Sequence, residues 1–127
     1  MKNKTVQDYM TRLPFEMQTH DSLNEAASLM REKGFRHIPI FKGSKIYGIL
    51  SDRDVKFAKA LLGDKAANLT IEEIASTESY QVTPLTSLKE VAGELSNRKI
   101  SSALAVDGET LVGIITATDI LKAYSEL

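Results

Sequence analysis

Apolar positions recur along the chain in a fixed programme, and the programme runs twice. Val6, Tyr9 and Met10 behind a Thr5-x-x-Asp8 start predict a short helix, broken at Pro14. Phe15-Glu16-Met17-Gln18 alternates and predicts a short strand. Asp21 to Glu25 opens a longer helix, with Ser22 as its cap and Glu25 reaching back. Leu23, Ala26, Ala27, Leu29 and Met30 give that helix one apolar face, and Gly34 stops it. His37-Ile38-Pro39-Ile40-Phe41 and Ile46 to Leu50 predict two strands joined by a turn over Lys42-Gly43-Ser44-Lys45. Pro39 has no N–H for a ladder, so its strand lies at an edge or turns that nitrogen away from its neighbour. A helix follows from Asp52 to about Leu62, ends at Gly63-Asp64, and leaves residues 63–69 as a linker.

The second half repeats this order. Thr70 to Ile74 reads as a short capped helix, Tyr80-Gln81-Val82 as a strand, Pro84 as part of the following loop, and Ser87 to Lys99 as a capped helix. Ser101 to Val106 and Leu111 to Ile115 form a hairpin around Asp107-Gly108-Glu109-Thr110, and Thr116 to about Glu126 is the last helix. Shifting the chain by 65 places Ser22-Leu23-Asn24-Glu25-Ala26-Ala27 on Ser87-Leu88-Lys89-Glu90-Val91-Ala92, with no gap from about residue 18 to residue 58. The expectation is an α/β (α+β) fold of two β-α-β-β-α repeats, each with a lead-in helix. Repeat 1 spans 1–62, the linker 63–69 and repeat 2 70–127. Neither repeat is large enough to bury a core comfortably alone, so the two should pack about a pseudo-twofold axis.

The best-kept stretch of the repeat is Gly48-Ile49-Leu50-Ser51-Asp52-Arg53-Asp54, which returns as Gly113-Ile114-Ile115-Thr116-Ala117-Thr118-Asp119. Each copy is a glycine, two aliphatics, a hydroxyl residue, two variable residues and an aspartate. One reading is helix capping, since Ser51-x-x-Asp54 and Thr116-x-x-Asp119 have capping-box spacing, as Thr5, Ser22, Thr70 and Ser87 do. The other reading is a ligand grip. A helix start at a strand's end offers free N–H groups and a positive dipole end to a phosphate. A hydroxyl there can donate to phosphate oxygen, and a carboxylate one turn on can accept from two sugar hydroxyls. Gly48 and Gly113 permit close backbone approach, or merely a tight bend.

Composition narrows the field. Sixteen Lys and Arg against 17 Asp and Glu give a net charge of −1, which argues against a phosphate-coating surface for nucleic acid. The absence of cysteine excludes disulfides, thiolate zinc sites and cysteine nucleophiles. No apolar run approaches the roughly 20 residues of a membrane span, and Met1 to Gln7 has no apolar signal core. A cytoplasmic protein is expected, with neither nucleic acid nor membrane as partner. His20 and His37 have no accompanying carboxylate constellation, so no catalytic residue and no metal site are assigned. Met10, Met17 and Met30 fall at packing positions. Lys56, Lys59 and Lys65 form a solvated helix face from which a phosphate could recruit Lys56.

Together these residues resemble the cystathionine-β-synthase (CBS) domain, and the chain resembles a stand-alone CBS pair over about residues 5–60 and 70–127. The resemblance rests on Val6-x-Asp8-x-Met10-Thr11, Ser22-Leu23-x-Glu25-Ala26, Arg36-His37-Ile38-Pro39-Ile40 and the doubled Gly-to-Asp stretch. It implies a regulatory module and no enzyme. The ligand would be an adenosine compound (AMP, ADP, ATP, S-adenosylmethionine or NAD), bound between the repeats so that the protein acts as a metabolite or energy sensor. No cofactor is required. Asp54 and Asp119 would take ribose hydroxyls, and Ser51 and Thr116 phosphate. Adenine would lie between Thr19-His20 or Thr83-Pro84 and Ile38-Pro39 or Ala103-Leu104, with His20 as a polar contact. Arg53, Arg36 and His37 make the first repeat richer in cations than the second, where Thr118, Ser101 and Ser102 stand. The second site would therefore suit few phosphates, or S-adenosylmethionine. Leu104 for Pro39 and Ala117 for Asp52 are further departures there. A homodimer through the apolar faces of the Asp52–Leu62 and Thr116–Leu127 helices is expected, with an effector protein on another chain. The alternative is an oligomerisation or partner-docking module with no nucleotide ligand.

Overall fold

Two hairpins of the same design anchor the fold. In a computed structural model, which describes residues 3–12 and 15–127, β3 (His37–Lys42) pairs antiparallel with β4 (Lys45–Ser51), and β6 (Ser102–Asp107) with β7 (Thr110–Thr116). Pro14, the expected end of the first helix, lies outside the described residues. Each hairpin closes on a two-residue turn whose first member, Gly43 or Gly108, sits at φ +65° while its second does not turn positive. That is the type II′ pattern, which matches strand twist and needs glycine first. Each hairpin also carries one bulge. Ile40 faces Gly48 and Phe41 faces Ile46, leaving Tyr47 extra; Val112 holds the same place in the second hairpin.

A short parallel strand flanks each hairpin: β2 (Met17–Gln18) on β3 and β5 (Gln81–Val82) on β6. The two differ by one step, and Pro39 explains it. Leu104 donates its N–H to the Tyr80 carbonyl at 2.9 Å, so β5 pairs from Leu104 onward. Pro39 has no N–H at the equivalent place, and β2 pairs only from Ile40. β3 is thus the middle strand of its sheet, but beside Pro39 it has β4 alone.

The helices begin where the sequence pattern puts them. α2 (Leu23–Lys33) is capped by Ser22 and closed by Gly34 at φ 74°; α4 (Leu88–Arg98) is capped by Ser87. Both caps are one-sided: the hydroxyl accepts from the Glu25 or Glu90 N–H, and the expected return bond from Glu25 is not made. α3 (Asp52–Leu62) and α5 (Ala117–Ser125) follow β4 and β7 directly. The stretch expected to be a linker is a 3-10 helix, Gly63–Asn68, whose Ala66 is buried in the core beside α2 and α3. The lead-in expected as a helix at Thr70–Ile74 is a 3-10 turn over Ile71–Glu73, and its counterpart α1 spans Val6–Tyr9.

The described residues form two compact units that do not coincide with the sequence repeats. The first unit is Phe15–Ser79; the second is Tyr80–Leu127 together with the described residues ahead of Phe15. Each lead-in packs on the other repeat. In the second unit Val6 donates to Thr86 O and Gln7 to Pro84 O, both at 2.9 Å. In the first, Ile71 donates to Asp21 O at 2.9 Å and Glu72 to Thr19 O at 3.0 Å. The four pairs correspond under the shift of 65. Val6 and Ile71 are the buried anchors, each inside its unit's core cluster. The backbone then crosses the hairpin. β1 (Thr11–Arg12) pairs antiparallel with β7 at Ile114 and Gly113, and Ser76 bridges Ile49 with two 3.0 Å bonds. The first unit therefore holds a three-stranded sheet, β2-β3-β4, and the second a four-stranded sheet, β1-β7-β6-β5.

Candidate ligand-binding site

The Gly-to-Asp stretches form two reciprocal caps at the β4–α3 and β7–α5 junctions. Ser51 Oγ accepts from the Asp54 N–H at 3.1 Å, and Asp54 Oδ2 accepts from the Ser51 N–H at 3.1 Å. Thr116 and Asp119 repeat this at 3.4 and 2.8 Å, and the Thr116 hydroxyl also donates to Asp119 Oδ2 at 3.1 Å. All four residues are half-buried, so each cap remains open to solvent on one side. The capping reading is therefore structurally realised. It does not oppose the ligand reading, because a half-exposed hydroxyl and carboxylate can exchange an internal partner for a ligand's, each bond netting about 1 kcal/mol.

The glycines have a different reason from ligand approach. A Cβ at Gly48 would stand 1.8 Å from the Ser76 carbonyl oxygen; one at Gly113 would stand 2.6 Å from Met10 Sδ and 2.8 Å from Thr11 O. Both are needed where the crossing lead-in backbone lies on the strand.

The remaining candidates scatter in character. Arg53 is exposed on the first turn of α3, and the neighbouring Asp52 is tied to Lys56 at 3.0 Å, four residues along. His37 is half-buried at the start of β3. His20 is exposed, with Nε2 3.9 Å from Asp21 Oδ1, whereas Thr19 is buried and donates its N–H to Phe41 O. Thr83 is exposed and its hydroxyl meets that of Thr86 at 3.1 Å. Ile38, Pro39, Ala103 and Leu104 are buried, so their side chains belong to the packed interior. Among the described residues no group of three or more His, Asp or Glu could hold a metal ion, and no helix is long and apolar enough to cross a membrane.

Around Asp119 lies a groove of about 550 Å³ that motif reading missed. Lys4, Asp8, Tyr9 and Met10 come from the lead-in, and Asp119, Lys122 and Glu126 from α5 and its end. Lys4 Nζ donates to the Tyr9 hydroxyl at 2.6 Å, and that hydroxyl donates to the Glu126 carboxylate. The Tyr9 hydroxyl, more than any other group, holds the Lys4 ammonium pKa above its ordinary value. Asp8 accepts from the Thr5 N–H and hydroxyl, which lowers its pKa. The groove could have been anticipated by extending the 65-residue comparison to the chain's ends: its positions then fall on Leu69, Glu73, Ile74, Ala75, Asp54, Phe57 and Leu61. The same place is charged in one unit and mostly apolar in the other.

Two aromatic–cation pairs also correspond between the repeats. Lys33 lies 5.7 Å from the Phe15 ring centroid, and Arg98 4.4 Å from that of Tyr80. Phe15 also meets Phe35 at 5.3 Å. Tyr80 is only 8% exposed and its hydroxyl has no hydrogen-bond partner; burial raises its pKa.

Comparison with known proteins agrees with this doubled design. A Vibrio cholerae protein assigned to acetoin utilization, AcuB, is 33% identical and superposes with a TM-score of 0.82, covering 96% of this chain and 90% of that one. The CBS domain pair of protein MJ0100, solved in complex with 5′-methylthioadenosine and S-adenosyl-L-methionine, is 27% identical with a TM-score of 0.86 over 97% of both chains. The CBS domain-containing protein YhcV of Bacillus subtilis is 28% identical over 116 residues, 91% of this chain and 82% of its own length. The inosine-5′-monophosphate dehydrogenase of Korarchaeum cryptofilum is 29% identical over 123 residues, but this chain spans only 25% of it. The CBS domain family matches residues 6–60 and again residues 71–126, and the chain accordingly belongs to that family as a tandem pair.

Proposed function

We propose that this CBS pair is a regulatory module that binds an adenosine-containing ligand at the Ser51/Asp54 and Thr116/Asp119 caps and acts as a metabolite sensor. It is read as a regulator and not as an enzyme. The observation that carries the reading is the pair of intact, half-exposed hydroxyl–carboxylate caps, one per repeat, each at a strand-to-helix junction. The adenosine ligands of the MJ0100 pair support the chemical class. Asp54 and Asp119 would accept from ribose hydroxyls, and Ser51 and Thr116 would donate to the 5′ substituent.

Charge suggests a division of labour. Arg53 and Arg36 are exposed near the first cap and suit a phosphorylated adenosine. The groove at the second cap sets the carboxylates of Asp8, Asp119 and Glu126 against Lys4 and Lys122, with Lys4 already engaged. That balance disfavours a triphosphate and tolerates a ligand such as S-adenosylmethionine. The exposed faces Phe57–Leu61 on α3 and Leu121–Tyr124 on α5 support a homodimer.

The test is calorimetric and thermal-shift titration with AMP, ADP, ATP, NAD and S-adenosylmethionine. A ligand at about 100 times its dissociation constant should stabilise by roughly 2.7 kcal/mol. Asp54→Ala is expected to abolish the response to phosphorylated ligands and Asp119→Ala the response to S-adenosylmethionine. Each keeps the cap hydroxyl's bond to the backbone N–H and loses the bond that the carboxylate accepts from the Ser51 or Thr116 N–H, at a cost of about 1 kcal/mol. No response to any of the five, from protein checked free of carried ligand, would favour a docking module. Turnover of a bound nucleotide would overturn the regulatory reading.

A further inference from the structure

The two lead-ins occupy equivalent places and are fastened by different chemistry. In the first unit the positions corresponding to Lys4, Tyr9 and Glu126 are Leu69, Ile74 and Leu61. Leu69, Ile74 and Ala75 pack against that unit's core behind the buried Ile71; Leu61 is exposed, and Glu72 adds polar ties to Lys42 at 3.3 Å and to the Tyr47 hydroxyl at 3.4 Å without replacing that apolar packing. In the second unit Tyr9 and Met10 rest on the core behind Val6, but the outer fastening is the polar chain Lys4–Tyr9–Glu126. Lys4 Nζ also lies 3.9 Å from Glu126 Oε1, with the Glu126 side chain 46% exposed. An apolar seam has no partner in water to exchange for. Exposed hydrogen bonds and ion pairs do, so they net little against opening. α1 is a single turn of four residues, too short to hold its shape unaided, and both residues of β1 are exposed.

We propose that residues 4–12 form a releasable strap, which opens as a unit when the Lys4–Tyr9–Glu126 clasp breaks, while the corresponding strap at residues 69–77 stays down. Opening does two things at once: it takes away one wall of the groove beside Asp119, and it bares the β7 edge at Gly113 and Ile114 that β1 covers. Asp8, Tyr9 and Met10 form the strap's wall of that groove. A ligand held at Asp119 therefore lies against the strap and favours its closed form. That clause rests on the ligand reading; the strap itself does not. Through it, occupancy of one cap becomes a change in exposed backbone that a partner chain could read.

Hydrogen exchange on the full chain tests this, because the two straps serve as each other's control. The amides of Val6, Gln7 and Met10 bond to Thr86, Pro84 and Val6 carbonyls; those of Ile71, Glu72 and Ala75 bond to Asp21, Thr19 and Ile71. Protection at 6, 7 and 10 is expected to be about tenfold lower than at 71, 72 and 75. Tyr9→Phe and Glu126→Gln should each lower protection at 6, 7 and 10 by a further factor of about five and leave 71, 72 and 75 unchanged. Equal protection in the two straps, or variants that loosen both alike, overturns the proposal. Added S-adenosylmethionine should restore protection at 6, 7 and 10. Calorimetric binding without that gain overturns the coupling alone, and absence of binding counts against the ligand reading without touching the strap.

Discussion

The caps at Ser51–Asp54 and Thr116–Asp119 are the same device on different ground. Both use the hydroxyl and the carboxylate reciprocally, at the same step of the same hairpin-to-helix junction. One turn further along the helix, Phe57 stands in the first and Lys122 in the second; across the lead-in, Leu69 and Ile74 stand against Lys4 and Tyr9. The lesson is that the motif specifies a local geometry, and the residues a turn away specify what that geometry meets. A duplicated fold can keep two identical caps and still set them in differently charged surroundings.

The sharpest way to break the correspondence is at the two glycines. Gly48→Ala would drive a Cβ into the Ser76 carbonyl, where only backbone can give way, and is expected to cost about 3 kcal/mol or more. Gly113→Ala also meets backbone, at Thr11 O, but at 2.8 Å instead of 1.8 Å and beside the movable Met10 side chain, and about half that loss is expected. Chemical denaturation of both variants checks the order; equal losses would mean that the crossings are not supported differently. A smaller effect of opposite sign is expected from Tyr80→Phe. It removes a buried hydroxyl that has no partner and keeps the ring beneath Arg98, so stability should rise by about 1 kcal/mol. Phe15, at the corresponding position of the first repeat, carries no hydroxyl and keeps its ring beside Lys33.

The smallest difference is one of pH. Asp8 has its pKa lowered below its ordinary 3.8 by the Thr5 bonds. The native state thus favours the ionised form. Its contribution is complete above the unfolded value and disappears as the pH falls through the lower native one. Acidification below about pH 4 should loosen residues 4–12, and Asp8→Asn should remove that part of the acid dependence. Exchange at Val6 and Gln7 followed against pH would show it; an unchanged acid profile in the variant would count against Asp8 as its source.

Periodicity carried much of the fold. α3 spans Asp52–Leu62 as its apolar spacing and Gly63 required, and both hairpins turn at their glycines. The elements that escaped are those without a period. β1 is two exposed residues, and no alternation can be seen in two. Residues 63–69 read as a linker because Gly63 and Asp64 interrupt the helix; the 3-10 turn within it, exposed except for the buried Ala66, has no period to announce it. The exchange of lead-ins was invisible for another reason: it is made by backbone bonds such as Val6 N–H to Thr86 O, which any residue but proline could form. The caps were legible because hydroxyl, spacing and carboxylate all lie within four residues. The groove was not, because Lys4 and Glu126 stand at opposite ends of the chain and meet only after folding.

The exchange of lead-ins also sets an order in time. The first unit is one continuous stretch, complete once Ser79 has left the ribosome, whereas the second must wait for residues near Glu126. Val6 is made before the whole first unit, yet it joins the cluster of Leu88 and Val91 only once that later stretch exists. The lead-in at residues 4–12 is therefore made before the rest of either unit and is among the last segments to settle. During that interval it is an unpaired turn whose anchor, Val6, stands open to whatever else is being made nearby.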